Sequence, residues 1–204
     1  TSWAKFPDGT DRIEVGGFQP VNRMSGQHVL FLCFFNDNAV TLSQFSVMIT
    51  LLQSFVDSLT IVLPFYPVGT MDRVITEGQV ATANTYAEMF SNLPSCGRPV
   101  RVVVYDVHTL QNRFYLHNHA FANPQTTVPL LLDAMAKHKK EHPEEAVDCV
   151  AFPDDGAAKR FGGMFSGLGM EVVTCGKMRD GEKRVINIQE GNPRGRRVIV
   201  VDDL

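Results

Sequence analysis

The sequence predicts an α/β protein with parallel sheets, and three observations carry that prediction. Short apolar runs of four to eight residues alternate with segments of helical period. Those runs are continuous in Val, Ile, Leu and Phe, as strands buried on both faces of a parallel sheet are, and do not alternate with polar residues. The last run, Val198-Ile199-Val200-Val201, ends in two adjacent carboxylates, Asp202 and Asp203. Ligands of open α/β sheets bind just beyond the carboxyl ends of the strands. Carboxylates there suit a vicinal diol or a hard cation, or simply close the strand in solvated acids.

The elements follow in order. Residues 28–35 (HVLFLCFF) predict a strand, and Asn36-Asp37-Asn38 a turn or helix cap. Leu42, Phe45, Ile49, Leu52 and Val56 recur at spacings of three and four, which predicts an amphipathic helix. Residues 59–63 (LTIVL) predict a strand stopped by Pro64. Thr76 is the expected cap of a helix through about 83–90. Residues 92–99 (NLPSCGRP) read as a loop, 101–107 (RVVVYDV) as a strand and 128–138 as a helix. Strands are expected at 147–152, 171–175, 184–189 and 197–201, with a glycine-weakened helix over 156–168. Seven or more strands call for two units, with a boundary in the polar stretch 118–126 (NHAFANPQT); the domains expected are 1–118 and 119–204.

Composition narrows the function. The chain has 204 residues, 44% hydrophobic and 20% charged, with net charge −3. That is a soluble globular composition with no basic field for nucleic acid and no apolar run long enough for a bilayer. The four cysteines lack CxxC spacing; Cys33 and Cys149 lie in apolar runs, as buried thiols of a reducing compartment do. A cytoplasmic location is expected, and an organellar address would not be visible because Thr1 begins mid-pattern. The chain contains no GxxxxGK[ST], GxGxxG, HExxH or GxSxG string, which lowers phosphate-loop kinases, dinucleotide enzymes and serine hydrolases.

Four segments stand out chemically. His108 closes the strand 101–107 with Asp106 on the same side, where a histidine meets phosphate, a proton, a metal, or only its packing partners. Pro153-Asp154-Asp155-Gly156 follows another buried run, so the two acids either organise a hydrated Mg²⁺ or cap the next helix. Lys159 and Arg160 in that helix face phosphate or solvent. Lys177 and Arg179 lie in a charged, glycine-bounded stretch, 176–184, which is a surface hairpin or a cationic lid.

Seven strings in one order resemble ribose-phosphate pyrophosphokinases: FPDG (6–9), FFNDN (34–38), LPFYPVGTMDR (63–73), YDVHTLQNRFY (105–115), FPDDGAAKRF (152–161), GKMR (176–179) and VIVVDDL (198–204). Their spelling is similar to the plant-type class II members. The resemblance implies two type I phosphoribosyltransferase-like domains, parallel sheets flanked by helices. The first would lack its opening strand, and the second would be incomplete in this chain. It implies transfer of the pyrophosphoryl group of ATP to O1 of ribose 5-phosphate, giving phosphoribosyl pyrophosphate and AMP for nucleotide biosynthesis. By the same resemblance His108, Lys177 and Arg179 are catalytic, and Phe6, Asp8, Asp72, Arg73 and His108 meet ATP. Asp202 and Asp203 hold ribose 5-phosphate, and His108 and Asp154 are associated with Mg²⁺. Phe6 and Asp8 would act across a subunit interface, implying a homo-oligomer that binds neither nucleic acid nor membrane. Thr70-Met71 stand where the main class carries an Arg-Gln pair, so one arginine contact to ATP is lost or replaced; Thr10 stands where that class has an acid. The alternatives are an inactive regulatory relative or a phosphoribosyltransferase.

Overall fold

A computed structural model describes residues 1–180 and 183–203, and for 177–180 and 183–185 the backbone alone. The chain forms two compact units, Thr1–Gln125 and Thr126–Leu204.

The first unit opens with an antiparallel hairpin that sequence patterning did not reveal, β1 (Ser2–Lys5) and β2 (Asp11–Glu14). FPDG is its turn: the Gly9 amide donates to the Phe6 carbonyl at 2.9 Å, and Gly9 has φ +86°, a conformation glycine adopts without cost. Four strands then form an all-parallel sheet in the order β3 (His28–Leu32), β4 (Ser58–Leu63), β5 (Val100–Tyr105), β6 (Ala120–Gln125). Helices α1 (Asn38–Leu52) and α2 (Thr82–Ser91) complete the unit. The core joins Ile61, Leu63 and Val102 to Met48 and to the ring cluster Phe35, Phe45 and Phe90, with Phe45 and Phe90 4.9 Å apart.

Helix α1 begins as expected, with Asp37 as cap: its Oδ1 accepts from the Val40 amide at 2.8 Å. Its buried face differs from the expected stripe. Leu42 is 63% exposed, while Thr41, Gln44, Phe45, Met48, Leu51 and Leu52 are buried. Polar Gln44 earns that place by satisfying a strand end. It donates to the Phe34 carbonyl at 2.6 Å and accepts from the Phe34 amide at 2.9 Å. Val56 lies past the helix end. Helix α2 starts later than expected and its cap position, Ala81, supplies no side-chain bond. Thr76 belongs to a separate turn, where Gln79 Oε1 accepts from the Ile75 and Thr76 amides.

The stretch 118–126 is no linker. Most of it is β6, paired with β5 from Val100↔Ala120 to Tyr105↔Gln125, so the first unit runs through Gln125. Pro124 is tolerated because β6 is a sheet edge.

The second unit holds α3 (Val128–Glu141), β7 (Cys149–Phe152), α4 (Asp155–Phe165), β8 (Glu171–Asp180), β9 (Lys183–Glu190) and β10 (Val198–Val200). Sheet order is β10-β7-β8-β9, with β10, β7 and β8 parallel and β9 antiparallel to β8. Among the described residues, only β7, the strand between β10 and β8, is buried at every residue. The final strand is an edge, and Val200 is 65% exposed. Its apolarity reflects one packed face, where Ile199 and Val201 meet Phe152, Phe161 and Phe165. Of the charged stretch 176–184, residues 176–180 lie on β8 and 183–184 on β9, whose backbones pair antiparallel; residues 181 and 182 lie outside the described residues.

Candidate active site

Strand β5 runs out at Tyr105, and three residues later it delivers His108 to the carboxyl edge of the first sheet. Asp106 bends the chain with φ +43°, Val107 is buried beneath, and His108 is exposed. The chain continues into a 3₁₀ turn, Leu110–Tyr115. The loop after β4 crosses beside this turn. A side chain built at Gly69 would start 3.8 Å from His108 Cβ, which puts the two backbones in near contact.

Asp72 and Arg73 lie on that loop. The Asp72 carboxylate accepts from Thr109 Oγ1 at 2.6 Å, Arg73 Nε at 3.0 Å and Gln111 Nε2 at 3.4 Å. Burial pushes its pKa up, but the Thr109 hydroxyl and the Arg73 guanidinium outweigh burial and hold it below the usual carboxylate value. Arg73 keeps more than half of its side chain exposed. Two further bonds join the loop to the turn: Asn112 Nδ2 donates to the Gly69 carbonyl at 3.1 Å, and Tyr115 donates to the Asp72 carbonyl.

In the second unit, β10 and β7 run parallel with Val200 opposite Ala151. Both therefore release their acids, Asp202-Asp203 and Asp154-Asp155, at the same edge. Arg160 of α4 reaches this edge: its Nη1 donates to Asp203 Oδ2 at 2.7 Å, and its guanidinium lies 5.0 Å from the Phe161 ring. Asp202 Oδ1 accepts from the Asp203 amide at 2.9 Å. Asp154 caps α4, accepting from the Ala157 amide at 3.0 Å.

Phe6 and Asp8 sit in the β1–β2 turn. Asp8 accepts from the Thr10 hydroxyl and amide at 2.6 and 3.0 Å; the hydroxyl foremost lowers its pKa. The Phe6 ring has the Arg12 guanidinium 6.0 Å away. The side chains of Lys177 and Arg179 lie outside the described residues; their backbones pair with Ile186 and Arg184.

The donor set fits a shared Mg²⁺ better than a caged ion. Among the described residues no three His, Cys, Asp or Glu side chains gather as a metal cluster. Mg²⁺ in phosphate sites typically takes one or two carboxylates and completes its shell with water and substrate phosphates, which the acids at the β7 and β10 ends can supply. His108 is a poorer ligand for so hard a cation.

Sequence reading missed Thr109, Asn112 and Tyr115 as supports, although all three stand in the YDVHTLQNRFY string. A 3₁₀ turn has no apolar period to betray it. It also left Arg160 between phosphate and solvent, whereas its partner is Asp203.

No family model matches the chain. Over all 204 residues it is 42% identical to "Ribose-phosphate pyrophosphokinase 4" of Oryza sativa subsp. japonica, covering 60% of that protein. It is 43% identical to the protein of the same name in Arabidopsis thaliana, covering 58%. Relatives whose names include chloroplastic and mitochondrial are also similar over the full chain. The chain thus spans about three-fifths of the first two relatives' length. The solved phosphoribosylpyrophosphate synthetase of Mycobacterium smegmatis superposes with a TM-score of 0.68, over 98% of this chain and 61% of that one. At 19% identity this likeness shows the α/β fold. The resemblance carried by the seven strings is borne out over the whole chain.

Proposed function

We propose that this chain, homologous from end to end to ribose-phosphate pyrophosphokinases, serves the same transfer: the β,γ-pyrophosphoryl group of ATP to O1 of ribose 5-phosphate. O1 attacks the β-phosphorus, the bond from that phosphorus to the bridging oxygen of the α-phosphate breaks, and AMP leaves. The O1 proton is lost to solvent or to a neighbouring base. The observation that carries the proposal is 42% identity across all 204 residues, with the motif carboxylates and histidine at strand carboxyl ends.

Pyrophosphoryl transfer needs alignment and charge neutralisation more than covalent help. In this reading Asp202 and Asp203 accept hydrogen bonds from the ribose diol, and Arg160 fixes the Asp203 carboxylate for that task. His108 and Arg73 donate to the triphosphate. Phe6 and Asp8 line the adenine site from a neighbouring subunit of a homo-oligomer, and Lys177 and Arg179 neutralise charge on the transferring group. Mg²⁺, when bound with the nucleotide, would spread the charge of the phosphates, and Asp154 with the β10 acids would help hold it. We place the protein in the cytoplasm; relatives named chloroplastic and mitochondrial make organelles the alternative location. Among the described residues no helix is long and apolar enough to cross a membrane.

The test is AMP release from MgATP by the full-length protein, with and without ribose 5-phosphate. AMP formation that requires the sugar is expected. ADP as the product, or AMP release indifferent to the sugar, would overturn the proposal.

A further inference from the structure

The loop after β4 and the turn after β5 are laced together beside His108, and one carboxylate carries most of the lacing. Asp72 is 2% exposed. Its oxygens accept from Thr109, Arg73 and Gln111, and its own carbonyl accepts from Tyr115. Two of the three side-chain donors, Thr109 and Gln111, and the Tyr115 hydroxyl come from the segment that starts one residue after His108. On its other side His108 is preceded by buried Val107. The backbone of His108 is therefore held between a core residue and a buried anchor, with Gly69 packed close to its Cβ. The side chain is left exposed while the main chain has little freedom.

We propose that Asp72 is a positioning residue for His108, acting through Thr109, and does not itself touch nucleotide. A carboxylate this buried, with three donors already in place, has little surface to offer a ligand. Turned toward a polyphosphate it would repel it. The nearby cation that faces outward is Arg73, whose Nε is steadied by the same carboxylate. Asp72 thus sets the direction of His108 and Arg73, the two groups that donate to the triphosphate in the reading above, on which this inference rests. Misplacing such a group by about 1 Å is enough to cost on the order of a hundredfold in rate.

Three variants of the full-length protein test it: Thr109→Val, which keeps the shape and removes the donor, Thr109→Ser, which restores it, and Asp72→Asn. Circular dichroism confirms the fold in each. Thr109→Val is expected to lower kcat tenfold or more with KM for ATP within twofold, and Thr109→Ser to recover most of it. Asp72→Asn with Thr109→Val should be no worse than the worse single variant, since both break one contact. A raised KM for ATP in Asp72→Asn, with kcat intact and Thr109→Val silent, would make Asp72 a nucleotide ligand and overturn the inference. Absence of sugar-dependent AMP formation in the unaltered protein would instead overturn the function. The positioning role is then read by NMR of the His108 ring: its signals should shift or broaden in Thr109→Val and Asp72→Asn but not in Thr109→Ser. Spectra that superpose in all three would overturn it.

Discussion

Asp154 caps α4, and in the proposed function it also helps hold Mg²⁺; one pair of substitutions separates the two roles. As helix cap it adopts φ −156° and ψ 173°, and its Oδ1 accepts the Ala157 amide at 3.0 Å. That satisfies one of the four amides a helix start leaves unpaired. Replacing a capping Asp with Ala costs about 1 kcal/mol, within a range of about 0.5–2. Losing its negative charge at the helix N-terminus costs about 0.3–1 kcal/mol more. Asp154→Ala should therefore destabilise by about 1–2 kcal/mol, or about 2–8 °C in Tm for a chain of this size. Asn caps as well as Asp, so Asp154→Asn should lose only the charge contribution, about 0.3–1 kcal/mol. The metal-associated role needs the carboxylate and not the cap. In the Asn variant, turnover at limiting Mg²⁺ should fall at least tenfold and partly recover as Mg²⁺ is raised, while Tm moves little. Calorimetry and a magnesium titration of AMP release give both readings on the same samples. Equal loss of Tm in Ala and Asn variants would refute the cap. Wild-type magnesium dependence in the Asn variant would refute the carboxylate's part in holding the ion.

Three further predictions follow from geometry elsewhere. Gly191 has φ +84° and a Cβ there would lie 2.2 Å from the Val172 carbonyl oxygen, whereas Gly195, at φ +74°, faces open space. Gly191→Ala should cost about 3 kcal/mol or more and Gly195→Ala only about 1–2 by denaturant unfolding; equal costs would contradict the close approach. Burial pushes the Cys33 thiol up to about 12. At pH 8 it should alkylate at least ~1000-fold more slowly than a thiol of ordinary pKa near 8.5, read by peptide mass spectrometry; a rate within tenfold of the denatured protein's would contradict burial. The Glu88 carboxylate, 3.0 Å from His117 Nε2, raises the pKa of that imidazole. A raised folded-state value means stability present below the unfolded value, near 6.5, and lost as pH climbs through the folded one. The stability lost in Glu88→Gln should therefore shrink between pH 6 and pH 8, and a difference independent of pH would contradict the pairing.

Strand–helix alternation foretold the parallel sheet of the first unit and the parallel strands β10, β7 and β8 of the second, because continuous apolar runs of that length have few other solutions; it did not foretell the antiparallel β9. Asp37 was legible as a cap for the same reason: its chemistry is local. What escaped was whatever depends on a partner distant in sequence. The buried face of α1 is rotated from the apolar stripe because Gln44 satisfies the end of a strand, and no periodicity encodes that bargain. Strand β6 looks like a linker until its backbone finds β5. At the site, His108, Asp202 and Asp203 were readable as residues at strand ends. Asp72 was readable only by resemblance, and its bonds with Thr109 and Gln111, which come from residues far along the chain, left no mark in the sequence pattern. Arg160 was ambiguous until α4 brought it to Asp203.

The most direct test of the central claim follows the phosphates themselves. ATP labelled separately at the β- and γ-phosphorus is given to the full-length protein with Mg²⁺ and ribose 5-phosphate, and the sugar product is isolated. Both labels are predicted to move to the sugar together, in equal amount and matched by AMP. Transfer of the γ label alone, with ADP left behind, would contradict it.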